Sequence, residues 1–195
     1  MKRVVVVAAH PEPASFTMAL AREAASTAAG LAGDVVLHDL YGDGFDPRML
    51  ATEVGTTEFA DGLTRRYATE VLAATALVFV HPVWFFQVPA ILKGWVDRVM
   101  RDGVVYELGP GGKSTGLWRA KAALVVNTAN SPEQVEGALG EPLERFWRDV
   151  VLGPAGVQAV TRVRCAKVLG SSAEQRAAWL VEARAAAEDL VRSCS

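Results

Sequence analysis

The segment His81-Pro82-Val83-Trp84-Phe85-Phe86-Gln87-Val88-Pro89 sets three consecutive aromatic side chains between two prolines. The apolar run at 76–80 leads into it and reads as a buried strand. Pro89 then opens a helix whose apolar positions Ile91, Leu92, Trp95, Val96 and Val99 recur at the helical period. A strand end running into a helix start is where open α/β sheets bind ligands. Placed there, Pro82, Val83, Trp84, Phe85 and Phe86 would wall a flat, partly apolar ring that can stack. Taken singly, the three aromatics would serve equally well as core or as a subunit interface.

A second junction of this kind carries His10-Pro11-Glu12-Pro13-Ala14-Ser15-Phe16-Thr17. A helix N-terminus offers unpaired N–H groups and the positive end of a dipole, which together favour a phosphate. Ser15 and Thr17 add hydroxyl donors. The plainer alternative is that Ser15 only caps its helix and His10 is an ordinary loop residue. Other chemistries are not supported. Gly109-Pro110-Gly111-Gly112-Lys113-Ser114 ends like a phosphate loop, but Glu107 stands where that pattern needs its first glycine. No GxGxxG follows the first strand, and no GxSxG elbow occurs. His10, His38 and His81 are scattered without metal-ligand spacing.

These junctions need elements to hold them. Val4 to Ala9 reads as a strand buried on both faces, followed by a helix from Ser15 to about Ala29. Asp34 to Asp39 is a second strand, and Tyr41 to Pro47 a loop by its glycines and proline. A weaker helical pattern runs from Thr57 to Ala74. Leu77 to Val80 is the third strand, and Val104 to Trp118 reads as a glycine-rich loop. Ala122 to Asn127 is the fourth strand, with a helix start at Ser131-Pro132-Glu133-Gln134. Leu143, Phe146, Trp147, Val150 and Val151 share a second helical face. Val157 to Val163 is the fifth strand, and Ser172 caps a last helix with Leu180, Ala183, Ala187, Leu190 and Val191 inward. Such alternation implies an α/β, three-layer sandwich: a five-stranded parallel sheet of order 2-1-3-4-5 with helices on both faces. Ligand loops then fall at 10–17, 81–88 and 127–131.

The chain of 195 residues is expected to form a single domain over 1–195. A net charge of −2 without a basic cluster argues against a nucleic-acid partner. Two distant cysteines, Cys165 and Cys194, and no leader pattern suit a cytoplasmic location. No apolar stretch approaches the roughly 20 residues of a membrane helix, so direct insertion is not expected.

The string from Pro82 through Pro89-Ala90-Ile91-Leu92-Lys93-Gly94-Trp95 resembles a signature of the NAD(P)H:quinone oxidoreductase family of flavodoxin-like flavoenzymes, and the chain is most similar to its short bacterial NAD(P)H dehydrogenase branch. The resemblance implies a cofactor, FMN or FAD, reduced by NAD(P)H. It implies that His10, Ser15, Phe16 and Thr17 hold the flavin phosphate. Pro82, Val83, Trp84, Phe85 and Phe86, with Asn127, Thr128, Ala129 and Asn130, would surround the ring. Tyr106, in a segment resembling the family's Gly-Phe-Ala-Tyr, would face a small aromatic acceptor such as a quinone. The resemblance also implies a homodimer, a ping-pong hydride transfer, and main-chain N–H groups of Ala129 and Asn130 facing the edge of the ring that turns anionic on reduction. The family's two glycines of this loop are replaced by Ala129 and Asn130, and the Tyr and His that follow in the animal enzymes are absent. Two other readings stay open: an ancillary flavoprotein subunit of a potassium-efflux-type transporter, and a flavodoxin-like electron carrier.

Overall fold

Val4 to Ala9 carries no polar side chain, and all six residues are buried. Side chains alternate across the sheet. Val4, Val6 and Ala8 accordingly pack with the first and last helices, while Val5 and Val7 join the opposite core. The computed structural model describes residues 2–194. In chain order it forms β1 (Lys2–Ala8), α1 (Phe16–Ala32), β2 (Gly33–Asp39), α2 (Gly62–Ala73), β3 (Ala76–Pro82), α3 (Ala90–Val99), β4 (Tyr106–Leu108), β5 (Ser114–Gly116), β6 (Ala122–Thr128), α4 (Glu133–Ala138), α5 (Pro142–Arg145), β7 (Ala159–Cys165) and α6 (Ala173–Ser193). The main sheet has order β2-β1-β3-β6-β7, every pair parallel. Counted within that sheet, this is the expected 2-1-3-4-5 order of the flavodoxin-like fold. No helix among the described residues is long and apolar enough to cross a membrane.

Ser15 and Ser172 cap α1 and α6, accepting the N–H groups of Met18 and Gln175 at 3.2 Å. Ser131 does not cap. Pro132 occupies that place in α4 without a side-chain bond. The helical face from Leu143 to Val151 is not one α-helix. After α5 the chain widens into a π-helix over Phe146–Leu152. That register stacks Trp147 on Phe79 with ring centroids 4.3 Å apart and aims its indole N–H at His81, contacts that offset the poorer helical geometry.

Two further stretches differ from the sequence reading. Val104 to Trp118 contains an antiparallel hairpin, β4 with β5, rather than only loop. Gly111 and Gly112, at φ 74° and 76°, make its turn. α2 begins at Gly62, not Thr57. Arg101 explains why: its guanidinium donates to the main-chain carbonyls of Glu53, Thr56 and Glu58 at 2.7, 2.9 and 2.8 Å, so these carbonyls are held in a loop. Arg98 anchors the same loop by donating to both carboxylate oxygens of Glu53, to Asp61 and to the Asp46 carbonyl. Burial pushes the Glu53 carboxyl up, but hydrogen bonds from Arg98 and from the Ala60 and Leu50 amides outweigh it and hold it below its usual range. Gly94 lets the loop lie on α3, since a Cβ there would stand 2.2 Å from the Pro47 carbonyl.

α3 buries the expected face, with Leu92, Trp95 and Val99 fully enclosed. Trp95 meets Phe79 edge-on at 5.8 Å. Trp95→Ala should therefore cost roughly 3–5 kcal/mol in chemical denaturation. Wild-type stability in that variant would mean that the indole does not support the core.

Candidate functional site

Parallel strands place the loops after β1, β3 and β6 on one edge of the sheet. They meet the turn after β7 around a cleft of about 660 Å3. The first loop brings His10, Ser15, Phe16 and Thr17 to it, and the second brings Pro82 to Phe86. Thr128, Ala129 and Asn130 complete the expected set, and Ser131 joins them. Asn127 is corrected. It is 2% exposed, and it lines a small chamber behind the cleft rather than the cleft itself. Tyr106 is not brought to the cleft either. It lies in a second cavity of about 940 Å3 with Met49, Glu53 and Asp102.

Sequence reasoning did not find Val168, Leu169 and Arg176, which close the far side of the cleft. Arg176 donates to Ser171 Oγ at 2.9 Å and lies over the Phe16 ring at 5.7 Å. No carboxylate is among the cleft's lining residues, so Arg176 gives it a positive bias. At the start of α1, the N–H groups of Phe16 and Thr17 have no partner among the described residues, while Ser15 caps the N–H that follows. The cleft therefore offers free donors, hydroxyls and a cation at one end.

Its other end is apolar and strained. Trp84 and Gln87 exchange main-chain hydrogen bonds at 3.0 Å, so Phe85 and Phe86 form a two-residue turn. Both sit in the left-handed region, at φ 49° and 57°. Such turns prefer Asn-Gly, and each bulky residue there costs about 1–2 kcal/mol. Strain of this kind collects at functional sites. Phe85 is 101% exposed, so nothing within the chain packs on it.

Short bonds lock the loops together. The hydroxyls of Thr17 and Thr128 lie 2.7 Å apart, and the Val83 N–H donates to the Thr128 carbonyl at 2.7 Å. The Ala129 N–H, expected to be free, donates to the Cys165 carbonyl at 2.8 Å. The Asn130 side chain accepts the Leu169 N–H at 3.1 Å, so it holds the far wall. Beneath the cleft, fully buried His81 accepts from Trp147 Nε1 at 3.0 Å and from Asn127 Nδ2 at 2.9 Å, through its Nε2. Its Nδ1–H donates to the Pro82 carbonyl at 2.8 Å. Burial holds this imidazole at about 4, against the upward pull of the Pro82 bond and with some help from the Arg162 charge.

Because the folded value lies below the usual 6.5, the unfolded chain binds a proton that the native state excludes between about pH 6.5 and 4. His81 then contributes stability that is complete above this window and falls as pH drops through it, by about 3 kcal/mol in all. Denaturation curves at pH 7, 5.5 and 4.5 should show a shallower acid loss in His81→Gln than in wild type. Equal slopes would assign the acid sensitivity to other groups.

A model of the flavodoxin-like fold matches residues 2–191. The human ribosyldihydronicotinamide dehydrogenase (quinone) is 32% identical over 168 residues, 75% of this chain and 72% of that protein. The FMN-dependent NADH:quinone oxidoreductase of Thiobacillus denitrificans is 35% identical over 115 residues, 56% of this chain and 53% of that protein. The solved NAD(P)H:quinone oxidoreductase of Methanothermobacter marburgensis superposes with a TM-score of 0.82 at 24% identity, over 97% of this chain and 98% of that one. With these matches and the sheet order, the chain belongs to the flavodoxin-like family of NAD(P)H:quinone oxidoreductases.

Proposed function

We propose that the protein is a flavin-dependent NAD(P)H oxidoreductase that reduces quinones or similar small aromatic acceptors, with FMN, or the FMN half of FAD, held in the cleft. The observation that carries this reading is the pairing of two ends within one cleft. Free N–H groups and hydroxyls at the start of α1 suit a phosphate, and a carboxylate-free aromatic wall at 82–86 suits a ring. The name of the Thiobacillus denitrificans relative supports FMN as the cofactor.

A bound flavin supplies the hydride relay from NAD(P)H to the acceptor. The chain's own part is to bind and orient. Ser15 and Thr17, with the amides of Phe16 and Thr17, fix the phosphate. Val83, Trp84 and Phe86 wall one side of the ring, and Thr128 to Asn130 border its edge. Of the two amides expected at that edge, the Asn130 N–H stays in this role, because the Ala129 N–H is already engaged. One open face then serves the nicotinamide and the acceptor in turn.

The working unit on this reading is a homodimer in the cytosol. Tyr106 lines a different cavity from the cleft, so its contact with an acceptor over the ring needs a second copy of the chain. The exposed side chains of Phe85, Leu108 and Leu117 supply apolar surface that such a copy would cover.

The purified protein should bind FMN or FAD with a flavin absorbance spectrum. A hundredfold excess of flavin over its Kd should stabilise the fold by about 2.7 kcal/mol. No spectrum and no thermal shift with either flavin would end the reading. Steady-state rates with NAD(P)H and a quinone should give parallel double-reciprocal lines. Intersecting lines would mean that both substrates bind together and would remove the shared face.

A further inference from the structure

Behind Val83, Ala129 and Ser131 lies the separate chamber of about 20 Å3, which shares those three residues with the cleft as a common wall. Its volume suits a single water molecule. Glu133, Glu136, Arg162 and Arg164 bring charge to the rest of its lining. The Arg162 side chain, 4% exposed, donates from Nη2 to Glu136 Oε2 at 2.9 Å and from Nε to Asn127 Oδ1. Arg162 Nη1 and Glu136 Oε1 are buried without a hydrogen-bond partner among the described residues. Glu141 and Glu144 reach Nη1 only to 3.8 and 3.6 Å, and both also face Arg164, at 3.0 and 3.7 Å. A buried guanidinium is costly unless its pairing geometry is good and its donors are satisfied; this one has three carboxylates within 4 Å but leaves Nη1 without a hydrogen bond among the described residues.

Asn127 carries the restraint toward the cleft. Arg162 holds its oxygen, and its amide donates to His81, which is bonded in turn to the Pro82 carbonyl in the cleft wall. Hydride arrival at a flavin adds negative charge to its ring, and donors fixed beforehand stabilise such charge best. One of the two main-chain donors expected at this loop, the Ala129 N–H, is spent on Cys165. That leaves the Asn130 N–H as the main-chain donor of this pair.

We propose, resting on the flavin reading above, that Arg162 is a positioning residue for the cofactor: from behind the Asn127–Ser131 loop it fixes Asn127 and sets a positive charge beside the part of the cleft that becomes negative on flavin reduction. The bonds from Arg162 through Asn127 and His81 to the Pro82 carbonyl run in that direction, and the Arg162 charge helps to hold buried His81 neutral. Glu136 tempers the same charge. A unit charge within about 10 Å, in surroundings of effective dielectric about 20, changes such an equilibrium roughly tenfold.

The test compares wild type, Arg162→Gln, Arg162→Lys and Glu136→Gln, each titrated anaerobically with oxidised and with reduced FMN. Arg162→Gln should weaken reduced FMN about tenfold more than oxidised FMN. Arg162→Lys should restore most of that ratio, and Glu136→Gln should move it the opposite way. The midpoint potential of the bound flavin should follow the same order. A purely structural role would weaken both forms together, so an unchanged ratio in Arg162→Gln overturns the proposal. If that variant does not fold, Glu136→Gln decides by the sign of its shift, and no shift or a shift the other way overturns the proposal. Failure of wild type to bind either form would instead strike the flavin reading, and the inference with it.

Discussion

Main-chain hydrogen bonds tie β1, β3 and β6 side by side in parallel, and both faces of these strands are covered. A parallel pair cannot be joined by a tight hairpin, so each strand is followed by a crossover on one face or the other. All carboxyl ends consequently lie on one edge. The loops at 10–17, 82–88 and 128–131 meet there because the sheet leaves them no other place, and the cleft follows from strand direction before any loop residue is specified.

Loop residues then decide how rigid that cleft is. The Thr17–Thr128 hydroxyl pair, the Val83 amide on Thr128 and the Asn130 oxygen under Leu169 join four chain segments through single bonds. On the other side of the sheet, Arg98 and Arg101 do similar work for the segment at 46–61, satisfying its carbonyls and carboxylates with two buried guanidinium groups. Removing one partner from such a buried set typically costs 3–5 kcal/mol. That loop thus behaves as part of the frame despite having little regular structure.

The parts legible in the sequence are those encoded locally. Valine runs, the serine caps at 15 and 172, and the 3.6-residue stripe through Trp95 each state their element within a few residues. What stays hidden depends on partners distant in the chain. Thr57 to Phe59 follow a helical pattern but are held in a loop by Arg101. Leu169 and Arg176 reach the cleft only because β7 lies beside β6. Asn127 sits at the expected strand end, yet Arg162 and His81 draw its side chain inward. The π-helix carries no local signal at all, since its gain is the contact of Trp147 with Phe79 and His81.

The left-handed turn at Phe85-Phe86 sets stability against use. An Asn-Gly pair would fit that backbone with little strain. It would also strip both rings from the cleft wall. A thermostability screen run on this chain would therefore enrich variants with a more relaxed turn and a blunted site, a form of the stability–activity trade-off. Laboratory evolution of this scaffold needs a selection that reads the cleft as well as the fold.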